Sequence, residues 1–141
     1  MSNEARVTAS LMVKVGNLSY QNQGTAFNAD VDSDKGYGPG AVSVEQTPTV
    51  TQVPLDNLDS LGGLCMIQNL SDEYAVEYGV YVGGSFYPLH KLLPGEKYPC
   101  RLSDNLWFGA HGSGSGTSHD HSLAFRAFGG VATVQIDAFN P

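Results

Sequence analysis

Residues 62–89 read GGLCMIQNLSDEYAVEYGVYVGGSFYPL, and this stretch decides the fold class. Leu64–Leu70 is an apolar run bounded by Gly62-Gly63 and Ser71-Asp72. In the next segment Tyr74, Val76, Tyr78, Val80 and Val82 recur at every second position. That is the period of an extended strand, and aromatic and β-branched side chains favour it. Gly83-Gly84 separates this strand from Ser85–Leu89. Two residues free to take positive φ between alternating runs predict a type I′ or II′ hairpin turn.

Working outward, the same period recurs. Val7, Ala9, Leu11, Val13 and Val15 share one face of a predicted half-buried strand, with Met12 the mismatch on the other. Phe27–Val31, Val42–Val44 and Thr49–Val53 give three shorter strands. Beyond the Pro94-Gly95 turn come Tyr98–Leu102, Leu106–Ala110, Leu123–Phe128 and Val131–Phe139, with Gly129-Gly130 read as a second hairpin turn. Only Leu55–Leu61 hints at one or two helical turns, stopped by Gly62. Nine or ten short strands with turns every 8–12 residues predict an all-β, antiparallel β-sandwich or jelly-roll-like barrel. One domain over 1–141 is expected, with residues 1–6 as a flexible N-terminal arm and 109–122 as a Gly/Ser/His-rich loop.

Composition narrows the function classes. Seven basic against fourteen acidic residues give a net charge of −7, and the basic residues are scattered singly. Nucleic-acid binding, which draws on clustered Lys and Arg, is not expected. No apolar run approaches the ~20 residues of a membrane span, and residues 1–10 lack a signal-peptide pattern. The expected compartment of synthesis is therefore cytoplasm, where Cys65 and Cys100 read as free thiols. The two Asn-Leu-Ser triplets, at Asn17 and Asn69, then have no glycosylation meaning.

The central strands carry apolar residues on both faces, Leu64 and Met66 against Cys65 and Ile67, and Tyr78 and Val80 against Tyr81. A strand in a two-layer sandwich has one dry face, so a second dry face asks for a further partner. Either the N-terminal half of the chain or a neighbouring copy fits; the neighbouring copy is the preferred reading.

Residues 63–102 contain Ile67-Gln68-Asn69-Leu70, Tyr74-Ala75-Val76-Glu77-Tyr78-Gly79-Val80, Phe86-Tyr87-Pro88-Leu89, Leu92-Leu93-Pro94-Gly95-Glu96 and Arg101-Leu102. This order resembles a diffuse family of small virion structural proteins of tailed bacteriophages, which decorate or cement the capsid or belong to the tail. About 40 of the 141 residues carry the likeness, Val7–Tyr20 match more loosely, and the Gly/Ser/His loop does not match. The resemblance implies a β-sandwich or jelly roll acting by adhesion as a homotrimer. Its partners would be sister copies and the major capsid protein at the virion head surface, with contacts from Ser2–Val7 and Asp30–Gly40. A tail-tip or fibre module binding a host receptor or glycan is the alternative.

Local chemistry offers few candidates. His119-Asp120-His121 puts two imidazoles on one side of an extended segment, with His111 or His90 as a third ligand, or with copies meeting on a threefold axis. Zinc asks for about four ligands in tetrahedral array, which this loop does not supply alone, so an exposed polar loop is the default. Asp30–Gly36 imitates a calcium loop, but its Gly falls one position late and Ala41 stands where the bidentate Glu belongs. Gly112–Gly116 is out of phase with a nucleophile elbow. No phosphate-binding glycine loop occurs, and no cofactor or enzymatic activity is expected. Tyr74, Tyr78, Tyr81, Phe86, Tyr87 and Trp107 are candidate interface anchors, because strand aromatics serve as core or oligomer contacts more often than as glycan platforms.

Overall fold

A computed structural model describes residues 5–29, 31, 38–53, 55, 63–103 and 122–139. The described residues are all-β, with twelve strands and no helix. The chain divides into two compact units, residues 1–32 and 33–141.

The first unit is one long hairpin. Strands β1 (Ala5–Val7) and β4 (Phe27–Ala29) pair at its base, and β2 (Ser10–Val15) and β3 (Leu18–Gln23) pair towards its tip. The Gly24 amide donates to the Ala9 carbonyl at 3.0 Å and joins the two pieces. Eleven residues from Ala5 to Val15 make an arm roughly 35 Å long at about 3.3 Å per residue. This corrects two expectations. The Val7–Val15 strand is broken at Thr8–Ala9, and Ala5 and Arg6 belong to a paired strand rather than to a flexible arm. β3 was invisible to periodicity because Leu18–Gln23 is mostly polar and exposed along its whole length.

The second unit is a β-sandwich. One sheet has the order β10-β7-β12-β5, from Lys97–Arg101, Leu64–Asn69, Ala132–Ala138 and Gly38–Val44. The other has the order β6-β11-β8-β9, from Thr51–Gln52, Ser122–Phe128, Ala75–Val82 and Ser85–Leu92. Their inner faces meet in one core that includes Val44, Ile67, Val76, Leu92, Phe125, Val134 and Ile136. Leu55 is fully buried in it; the rest of the hinted helical turns, 56–61, lie outside the described residues, as does the Leu106–Ala110 strand.

Chain tracing alternates between the sheets. Among the described residues of this unit, β8 and β9 alone form a local hairpin, and both turn glycines take positive φ, +54° at Gly83 and +82° at Gly84. Gly129-Gly130, read as a hairpin turn, instead carries the chain from β11 in one sheet to β12 in the other. The strands nest: β8 pairs with β9, β7 with β10, β6 with β11 and β5 with β12.

Sheet edges are blunted. β5 carries Pro39, β10 carries Pro99 and β9 carries Pro88, while β6 has only two residues. Proline lacks the N–H that strand addition requires, so these edges do not extend readily. β9 also bulges where it passes Gly79, since His90 faces Tyr78 but Pro88 faces Gly79. A Cβ on Gly79 would stand 2.0 Å from the Tyr87 carbonyl oxygen, so only glycine fits beneath this bulge.

Asn69 is the one buried polar residue among those described. Its Nδ2 donates to the carbonyls of Tyr74 (2.8 Å) and Leu92 (3.3 Å), and its Oδ1 accepts from the Ser71 amide at 3.0 Å. Its backbone N–H donates to the Glu96 carbonyl, and its carbonyl accepts from the Gly95 amide. The residue thus joins the end of β7 to β8, β9 and the β9–β10 turn. Asn69→Leu should leave three backbone groups without partners and cost about 3 kcal/mol, at 1–3 kcal/mol for a buried unsatisfied group. The expected reading is a lower urea midpoint with unchanged denaturant slope.

Candidate binding surfaces

Three surfaces of the described chain expose apolar, aromatic or charged side chains. The first is the apolar face of the arm. Register places Leu11, Val13, Val15, Leu18 and Tyr20 on one side, with Val13 opposite Tyr20 and Val15 opposite Leu18. Leu11 is 58% exposed, Val15 68% and Leu18 60%. A two-stranded hairpin is marginal by itself and needs such a face covered.

The second is the outer face of the β6-β11-β8-β9 sheet. Arg126 reaches Glu77 Oε2 through Nη2 at 2.8 Å and Nε at 3.0 Å. Its guanidinium lies 5.1 Å from the Phe86 ring centre and 5.6 Å from that of Phe128, with Lys91 5.7 Å from the latter. Cross-strand register creates the cluster, since Arg126 faces Glu77 and Glu77 faces Lys91. Glu77 neutralises Arg126 while Lys91 adds a further positive charge, leaving a half-buried aromatic and cationic platform. Nothing in the period-2 pattern singles out Arg126; only the pairing of β8 with β11 brings it to Glu77.

The third is the rim formed by β9 and β10. Tyr87 is 57% exposed, Leu89 67% and Tyr98 48%. Leu89 is the extra residue of the bulge beside Gly79.

The sequence-predicted anchors scatter over these regions. Tyr87 stands on the rim and Phe86 in the cationic platform, with Tyr81 opposite Phe86 on the same face. Tyr74 is half-buried and packs against the core, and its ring occupies the space that a Cβ on Gly130 would take. Tyr78 is a core residue, stacked between His90 at 5.1 Å and Phe125 at 5.5 Å. His90, considered as a third metal ligand, is thus held in a ring stack on β9. Trp107 and the His111, His119 and His121 group lie outside the described residues, as do residues 30 and 32–37 of the acidic turn. Among the described residues, no three His, Cys, Asp or Glu side chains gather as a metal site.

Cys65 and Cys100 are free thiols on adjacent strands, Cys65 buried and Cys100 half-buried. The chain matches no family model, no curated protein and no solved structure.

Burial pushes the Tyr78 hydroxyl up from 10.0 to about 12, helped by the nearby thiols and Tyr98. A raised pKa means that the fold prefers the neutral phenol. Its contribution to stability is complete below pH 10 and is lost as pH rises through about 12. An ultraviolet tyrosinate titration should show a tyrosine step near pH 12. Tyr78→Phe should remove that step and flatten the fall in stability above pH 10.

Proposed function

We propose that this chain is a structural protein of a tailed-phage virion that decorates the capsid. In this reading a homotrimer sits on the head surface over joints between copies of the major capsid protein, having been made in the host cytoplasm. The observation that carries the reading is the nested strand pairing, β5 with β12 outermost and β8 with β9 innermost, split over two sheets. We read this as jelly-roll wiring, the double Greek key that recurs in viral capsid and lectin domains. The order of motifs across 63–102 supports the same family.

The surfaces supply the adhesive mechanism. Prolines and the short β6 discourage growth of the sandwich from its edges, so its partners meet faces instead. No proline interrupts the arm, and its apolar face is exposed. Laid across a joint between capsid proteins, that face buries apolar area only when the shell is assembled. A ligand that binds only one state stabilises that state by mass action. The exposed Tyr87 and Tyr98 on the β9–β10 rim favour the second reading, a tail-tip or fibre module that stacks aromatic rings on a host glycan or receptor.

The test adds purified protein to bare phage heads. Light scattering should give three times the 15.0 kDa chain mass for the free protein. Heads should bind hundreds of copies and withstand higher temperature, while the double variant Leu11→Ser, Leu18→Ser should remain folded and bind at least tenfold more weakly. Absence of binding to heads, or a copy number of three to twelve per particle, would replace this reading with the tail module.

A further inference from the structure

Cys65 on β7 and Cys100 on β10 are directly opposed in antiparallel register. The hydrogen bonds on either side fix the kind of position they occupy. The Asn69 amide donates to the Glu96 carbonyl at one end of the ladder, and the Leu102 amide donates to the Gly63 carbonyl at the other. Alternation in steps of two from 69/96 passes through 67/98 and 65/100 to 63/102. The cysteines therefore occupy a hydrogen-bonded pair, where Cα atoms stand about 5.5 Å apart. A disulfide accepts Cα separations of about 4.4–6.8 Å. The alternation also puts both side chains on the inner face, with Ile67 and Tyr98.

We propose that Cys65 and Cys100 are a reversible redox site, closed to a cross-strand disulfide by exchange with a low-molecular-weight disulfide. Cys100 is the attacking group, because it is half-buried on an edge strand while Cys65 is shielded. The Cys65 thiol donates to Cys100, which holds the Cys100 thiol below its ordinary value; the same hydrogen bond, then burial, pushes the Cys65 thiol up.

The chemistry balances in two exchanges. Cys100 thiolate attacks one sulfur of the small disulfide, forms a mixed disulfide and expels one small thiolate. Cys65 then loses its proton and attacks the Cys100 sulfur, forming the protein disulfide and releasing the second small thiolate, and each released thiolate takes up one proton. The protein loses two hydrogens, and one small disulfide is reduced to two thiols. The bond closes a loop from 65 to 100 and ties the edge strand β10 to β7, which reduces the freedom of the unfolded chain. A reducing compartment keeps the site open and an oxidising one closes it.

The experiment incubates the full chain with oxidised glutathione under native conditions and follows intact mass, free thiols and urea midpoint. Expected are loss of two hydrogens and both thiols, no retained glutathione, a cross-linked peptide joining Cys65 to Cys100, and a higher midpoint that dithiothreitol reverses. Cys65→Ser should stop at one glutathione carried on Cys100, whereas Cys100→Ser should react more slowly than wild type by at least tenfold. Wild type that retains both thiols, stops at the mixed disulfide or cross-links between chains would overturn the proposal. These readings on the wild type stand even if a cysteine variant fails to fold.

Discussion

The sandwich depends on a buried amide at the corner where its two sheets exchange strands. Asn69 ends β7 in one sheet, yet its side chain holds backbone carbonyls of Tyr74 and Leu92, which flank strands of the other. Burying a carboxamide is unfavourable unless its donors and acceptor are all used. Here they are used by chain segments that must meet for the core to close. The same site receives the Gly95 amide and the Glu96 carbonyl, and Glu96 Oε2 accepts from the Leu93 amide at 2.7 Å. The Gln68-Asn69-Leu70 and Leu93-Pro94-Gly95-Glu96 pieces are thus neighbours in space. Their physical job is to shape this corner.

Around that corner, the molecule separates closed surfaces from open ones. Prolines occupy three sheet edges, and glycine under the β9 bulge lets that strand bend away from regular pairing. Arg126, Glu77 and the flanking phenylalanines satisfy one another on an outer face. The arm differs, because its apolar side chains stand exposed while its backbone is paired only within the hairpin. Blunting matters because open sheet edges recruit further strands and give fibres.

Much of this was legible in the sequence. Alternation in Tyr74–Val82 and Val131–Phe139 marks strands with one buried face, and Gly83-Gly84 marks the hairpin between β8 and β9. What periodicity does not encode is which strand lies beside which. Gly129-Gly130 looks like a hairpin turn because two glycines reverse a chain equally well within a sheet or between sheets. β3 went unread because an exposed hairpin imposes no apolar alternation on Leu18–Gln23. Tyr78 and Tyr87 carry the same side chain on strands, and only the layering makes one core and the other surface. Asn69 resembled a chance glycosylation triplet, since local sequence says nothing about the carbonyls of residues 74 and 92. The pairing of Cys65 with Cys100 likewise depends on a register spanning the whole β8–β9 hairpin.

The nested wiring also dictates an order of assembly. β8 and β9 are neighbours in sequence, whereas Val44 and Ala132 must meet across 132 − 44 = 88 positions. Contacts of such separation are slow to form because loop-closure entropy precedes any gain from burial. β12 is not a peripheral addition, since it lies between β7 and β5 in the middle of its sheet. During synthesis, therefore, β5 has no neighbour in its own sheet until residues 132–138 have left the ribosome. β12 is thus the strand that joins β5 to the rest of its layer.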